Sequence, residues 1–287
     1  MENSINFKRE REIGKVISDS FIFFKMNFKP LFKRIWKLIL PYFILLFISY
    51  SFFSFTISRT GVNLAAVFGS NLDFSYFLSF FIYIFITIIY VSILQLSVLN
   101  YIKEYVNNVS IEESELKKRV YRRFFSMTGL NFLIVLISFL GFLLFFIPGV
   151  YMIVVLVFAP VIFIFENKDL RSSISESFTL IKNNWWTTFT SLVILVLITF
   201  VINMVLGIIF YIYSMIKAFV VEGNISEFLH PHALHPENIF YYFLNLLLYT
   251  ILLIIINIAL SMIYFNIIEK RYNTNVFNEI DKIGSEL

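Results

Sequence analysis

The chain has no cysteine, three histidines, six prolines and nine glycines among 287 residues. Without cysteine there is no disulfide, no thiolate metal site and no cysteine nucleophile. Charge is also scarce, at 15% Asp, Glu, Lys and Arg, where soluble domains carry about 25%. Six stretches (38–58, 74–102, 127–147, 150–165, 186–216 and 239–268) hold no charged residue and no histidine. Ion pathways and proton relays usually show as ionisable residues within spans, so these stretches carry no sign of one. The scattered glycines form neither a phosphate loop nor a dinucleotide turn, and no G-x-S-x-G elbow or H-E-x-x-H helix occurs. Phosphodiester hydrolysis would need clustered carboxylates on a metal with acid and base groups nearby. No such cluster is evident, and a non-enzymatic chain without a cofactor is expected.

What is abundant is apolar and aromatic. Hydrophobic residues make up 59%, including 37 Phe and 16 Tyr. Uncharged runs of about 20 residues satisfy their backbone in hydrocarbon only as helices. The fold class expected is therefore an all-α, polytopic membrane protein with six transmembrane helices. A single membrane domain, 1–287, is expected.

The placement of the cations orients it. Of the 23 Lys and Arg, only Arg59 and Lys217 fall in loops on one side of the alternating spans; the rest lie on the other. The positive-inside tendency then puts both termini in the cytoplasm. No cleavable signal is evident ahead of the first span, and a bacterial inner membrane is the simplest setting.

Before the first span, Ile13, Val16, Ile17, Ser20, Phe21, Phe24, Phe28, Leu31, Phe32 and Ile35 recur at helical spacing. Arg11, Lys15, Lys25, Lys29 and Lys33 occupy the other face, and Pro30 is expected to break or kink the helix near its end. Such a stretch predicts an amphipathic helix lying in the cytoplasmic headgroup plane. A second one follows the fourth span, giving two interfacial helices. The two share Ile17/Ile174, Ser18/Ser175, Ser20/Ser177, Phe21/Phe178, Lys25/Lys182, Asn27/Asn184 and Phe32/Phe189 at one offset. We read this as a parallel internal repeat. Repeat unit one covers about 12–108, a helical hairpin about 127–166, and repeat unit two about 169–274. The expected lipid and partner surface comprises Lys25, Trp36, Lys182, Trp185 and Trp186, because all three tryptophans fall at cytoplasmic span boundaries.

Within the spans, a tight turn is expected at Pro148-Gly149 and a kink at Pro160. Gln95, Asn131, Asn203, Asn245 and Asn257 are expected to make interhelical hydrogen bonds. His230, His232 and His235, in one outer loop, have the donor count for Zn²⁺ or Cu²⁺; a proline-stiffened connector is the favoured reading. Glu112, Glu113 and Glu115 precede Lys117, Lys118, Arg119, Arg122 and Arg123. That order suits a solvated helix ending at a membrane surface, or one docking an acidic partner. Nucleic acid is not an expected ligand.

Several short motifs carry a family resemblance. They are Pro148-Gly149-Val150-Tyr151, Phe158-Ala159-Pro160, Glu166, the segment with Ser173, Ser177, Phe178, Leu180, Ile181 and Lys182 leading to Trp185-Trp186, and the closing run Tyr264 to Tyr272. Together they resemble the six-span membrane domain of bacterial glycerophosphodiester phosphodiesterases and its stand-alone relatives. Asn266 departs from that pattern, standing where an acidic or aromatic residue is common. The resemblance implies fold and topology but no activity, because the chemistry of the fused proteins belongs to a separate soluble barrel. The functional expectation is a structural or accessory subunit engaging membrane lipids and other membrane proteins. Alternatives are a passive or lipid-related transporter, and a regulator of a separately encoded lipid phosphodiesterase.

Overall fold

The computed structural model describes residues 5–60, 74–109, 112–217, 219 and 236–272. Among the described residues there are helices and no strands. They are α1 (Ile13–Thr60), α2 (Phe74–Val106), α3 (Glu113–Leu144), α4 (Phe146–Leu156), α5 (Ala159–Phe165), α6 (Leu170–Ile181), α7 (Trp185–Ile216) and α8 (Pro236–Tyr272). Six helical stretches are long and apolar enough to cross a membrane, with α4 and α5 forming one of them as Phe146–Phe165. The protein is a multi-pass membrane protein.

Two compact units form. Unit one comprises Met1–Ile39, Ser92–Leu195 and Leu253–Leu287; unit two comprises Leu40–Val91 and Val196–Leu252. These boundaries differ from the segments 12–108 and 169–274 that the repeat pattern delimits.

The amphipathic stretch before the first span is not a separate helix. It is continuous with that span as α1, 48 residues long, or about 72 Å at 1.5 Å per residue. Hydrocarbon is only about 30 Å thick, so much of α1 extends beyond it. Pro30 sits inside α1 without ending it. Leu31 and Ile35 immediately after it are wholly buried, and this packing carries the helix past the lost hydrogen bond. The expected apolar face also divides. Val16, Phe23, Leu31 and Ile35 point inward, whereas Phe24 meets Phe28 edge-on at 5.4 Å, and Phe28, Phe32 and Trp36 stack in turn along the helix at 5.5 and 4.6 Å. The second amphipathic stretch does form its own short helix, α6, ending at Ile181.

The turn between the third and fourth spans falls at Phe145, which is extended at φ −166°, ψ 161°. Pro148 and Gly149 belong to the first turn of α4. The missing N–H of Pro148 costs nothing there, since the first four N–H groups of a helix have no intrahelical partner. Gly149 serves close approach rather than a special φ. A Cβ on it would lie 2.5 Å from the Phe142 ring, and one on Gly141 would lie 3.0 Å from the Gly149 Cα. The break near Pro160 falls at Val157 and Phe158, so the proline lies in the first turn of α5. Pro160 through Ile164 are all buried at the centre of unit one.

A segment ahead of α1 completes unit one. Phe7 is 2% exposed and meets Phe23, Tyr105 and Phe265 edge-on at 5.0, 6.0 and 6.1 Å. Arg11 donates from Nε to Asp19 at 2.9 Å and from a terminal nitrogen to the Phe7 carbonyl at 3.0 Å. Burial pulls the Arg11 pKa below its ordinary value, against the opposing pull of Asp19. In unit two the aromatics dominate: Tyr50 packs on Tyr83 and Tyr242, and Ser54 donates to Tyr242 at 2.7 Å.

Candidate functional site

Four basic residues of α3 (Lys118, Arg119, Arg122 and Arg123) stand three or four positions apart and therefore share a helix face. Unit one folds that face toward Lys103, in the last turn of α2, and toward Asn167, just past α5. The result is an open cavity of about 1040 Å³ lined by Asn100, Lys103, Glu115, Lys118, Arg119, Arg122, Arg123 and Asn167. Among the described residues, five cations thus face one carboxylate.

The lining divides into fixed and uncommitted groups. Lys103 Nζ donates to the Ile164 carbonyl at 2.6 Å and to Asn167 Oδ1 at 2.9 Å. Arg123 donates to the carbonyls of Phe163 at 2.8 Å and Lys168 at 2.5 Å, and its guanidinium lies 3.7 Å over the Phe163 ring. Both residues thereby satisfy carbonyls at and beyond the end of α5, where the helix dipole favours cations. Asn167 adopts φ 55°, a left-handed conformation asparagine tolerates, and this turns its amide to Lys103. Arg119 makes one 3.3 Å contact to Glu115 within its own helix. Among the described residues Lys118 and Arg122 have no polar partner, and both are exposed.

A second cavity, about 500 Å³, lies in the same unit beside Glu166, Lys168, Glu176, Tyr264 and Arg271. Lys168 bridges Glu166, at 2.5 Å, and Glu176, while the Tyr264 hydroxyl donates to Glu166 at 2.8 Å. Partial burial would raise the Glu166 pKa, yet the hydrogen bonds from Lys168 and Tyr264 win and hold it below the ordinary carboxylate value. The same two carboxylates raise Lys168. This cluster is internally neutralised.

The structure does not gather the residues of the expected lipid surface into either cavity. Lys25 and Lys182 are exposed on α1 and just after α6. Trp36 ends the α1 aromatic ladder. Trp185 stacks on Phe189 at 5.0 Å and on Tyr151 at 6.1 Å, and Trp186 is 74% exposed at the start of α7. His230, His232 and His235 lie outside the described residues, and no cluster of three or more metal-ligating side chains occurs among those described. Of the in-span amides, Asn131 bridges helices, donating to Ser92 and Gln95 at 2.9 Å each. Asn203, Asn245 and Asn257 instead bond within their own helices. The sequence exposed the basic face of α3. It did not expose Lys103 or Asn167 as its companions, because they are distant in sequence and only the packing of α5 brings them near.

The sequence matches the family model described as Uncharacterised protein family (UPF0259) over residues 70–230. The chain belongs to this family. Every residue lining the basic cavity falls within the UPF0259 match. No curated protein matches the chain, and no solved structure matches it. The resemblance to the membrane domain of glycerophosphodiester phosphodiesterases is therefore not among the relationships shown; membership of UPF0259 is.

Proposed function

We propose that this UPF0259 member is a non-enzymatic structural or accessory subunit of a bacterial inner membrane, with cytoplasmic termini, engaging lipids and other membrane proteins. The observation that carries this reading is α7. It is the most apolar of the spans, with a mean hydropathy of 3.0, yet only 6% of its apolar window is buried within the protein. A helix so weakly packed on its own chain offers its surface to lipid or to a neighbouring membrane protein. Its start adds Trp186, exposed, and the nearby cation Lys182, both suited to the headgroup region.

The test places photo-crosslinkers at the exposed positions Leu197, Phe200, Met204 and Ile208 in native nanodiscs. A protein adduct is the expected result. Lipid adducts alone would overturn the accessory role, and solute flux through the purified chain would favour the transporter reading. Recovery of a lipid phosphodiesterase as the adduct would give the regulatory reading. For the lipid part of the proposal, Lys25→Glu with Lys182→Glu is expected to weaken enrichment of anionic lipid around the chain while all six spans stay inserted. Each cation near an anionic surface contributes about 1 kcal/mol. Unchanged enrichment would remove these two positions from the lipid surface.

A further inference from the structure

We propose that the basic cavity of unit one is a binding site for a phosphate group, carried by an anionic lipid headgroup. This rests on the reading of the chain as a lipid-engaging membrane protein, and it adds a defined site and ligand chemistry.

The argument begins with a charge imbalance. Lys118 and Arg122, Arg119 and Arg123, and Arg119 and Arg122 are all like-charge neighbours at i,i+4 or i,i+3 on α3. Such pairs destabilise an isolated helix. Among the described residues Glu115 is the only carboxylate lining the cavity, and its single contact to Arg119 involves side chains 56% and 41% exposed, an arrangement of little intrinsic strength. An anion placed among the five cations relieves repulsion that the fold otherwise leaves in place.

The donor inventory points to phosphate in particular. Lys103 has three N–H donors and uses two; Arg123 has five and uses two, at the carbonyls of Phe163 in α5 and of Lys168 beyond it. These two are held in place from behind and form a rigid base. Asn167 accepts from Lys103 through Oδ1, which leaves its amide N–H groups for a ligand. Lys118 and Arg122 carry their full set of donors, and a guanidinium fork matches two phosphate oxygens at once. A tetrahedral oxyanion uses several donors from different directions, whereas a planar carboxylate would leave most of this set unused.

The location favours a lipid as the carrier. The cavity is bounded by the last turn of α2, the stretch of α3 ahead of its uncharged span, and Asn167, two residues past Phe165. Each is the point at which an apolar span gives way to charge. Lipid phosphates occupy that level of a bilayer. The volume of about 1040 Å³ exceeds what a free phosphate ion needs and has room for a substituted headgroup.

The test uses the full chain in phosphatidylcholine nanodiscs doped with phosphatidylglycerol, released into a native mass spectrometer to read lipid retained on the protein. Wild type is expected to retain phosphatidylglycerol. Lys118→Gln with Arg122→Gln removes two exposed side chains that have no described structural contact, and retention is expected to fall about tenfold. The charge-matched control, Lys117→Gln with Lys270→Gln, removes two exposed cations outside the cavity lining and is expected to retain the lipid. Arg122→Lys keeps the charge and loses the fork; an intermediate loss supports phosphate geometry. Inorganic phosphate added to wild type separates the sources. Weak competition supports a lipid-borne group, whereas displacement at low concentration keeps the phosphate site and assigns it to a soluble phosphate compound. Full retention by the Lys118/Arg122 variant overturns the site. Equal loss in the control overturns it too, because general surface charge would then explain the retention. Neither result bears on the α7 crosslinks, so the two proposals fail separately.

Discussion

Asn266 and Arg11 hold each other by both backbone groups of the arginine. Arg11 N donates to Asn266 Oδ1 at 2.9 Å, and Asn266 Nδ2 donates to the Arg11 carbonyl at 3.0 Å. Both residues are buried. A side-chain amide here imitates a strand partner, tying the segment before α1 to α8. This is the position at which the closing motif departs from the pattern it resembles, and an acidic or aromatic side chain could not make both bonds. Replacing Asn266 with Leu leaves a buried N–H and a buried carbonyl without partners, at a cost of about 1–3 kcal/mol. Thermal unfolding in detergent should register that loss, and protease cleavage within residues 5–12 should accelerate. Asn266→Asp keeps the acceptor and should fall between.

The α3–α4 hairpin depends on two glycines facing each other. Gly149→Ala forces a methyl into the Phe142 ring, and Gly141→Ala forces one against backbone. Overpacking of this kind costs about 1–3 kcal/mol. Gly14→Ala is the internal contrast, since a Cβ there meets nothing within 4 Å and the change should be neutral or stabilise α1 by up to about 1 kcal/mol. Unfolding midpoints for the three variants would test this; a harmless Gly149→Ala would show that the hairpin is looser than described.

Acid should weaken the loop after α5. Glu166 has a folded pKa below its ordinary value, so its contribution is present at neutral pH and is lost as pH falls through the carboxylate range. Lys168 is raised, so its share persists at neutral pH and is lost only above the usual lysine range. The groups are partly solvent-exposed, and screening limits the effect to about 1 kcal/mol or less. Stability measured against pH should decline on acidification in wild type, and Glu166→Gln should flatten that decline while lowering stability at neutral pH.

The proposed orientation can be read directly because the chain contains no cysteine. Ser114→Cys, exposed at the start of α3, should react with a membrane-impermeant maleimide only after cells are opened. Labelling of intact cells at this position would invert the topology.

Which stretches are helical and apolar enough to span was legible in the sequence, because an uncharged run of about 20 residues has one backbone solution in hydrocarbon. The proline positions were legible as interruptions, but their meaning was not. Pro30 lies within a continuous helix because Leu31 and Ile35 are packed beside it. Pro148 and Pro160 both sit in first turns, where no N–H is needed, so the actual breaks fall at Phe145 and at Val157–Phe158. Gly149 carried a turn signal in sequence and proves to be a contact glycine, since only the partner helix supplies the Phe142 ring it must avoid.

The sequence by itself determined the membrane character, the six spans and the basic face of α3, since all three are local properties of composition and helical period. Tertiary structure decided which cations are committed and which remain available. Lys103 and Arg123 are engaged by carbonyls at the end of α5, far away in sequence, and Arg11 is held by Asn266 from the other end of the chain. Hydrogen bonds between distant segments follow from packing geometry, and no periodicity within either segment records them.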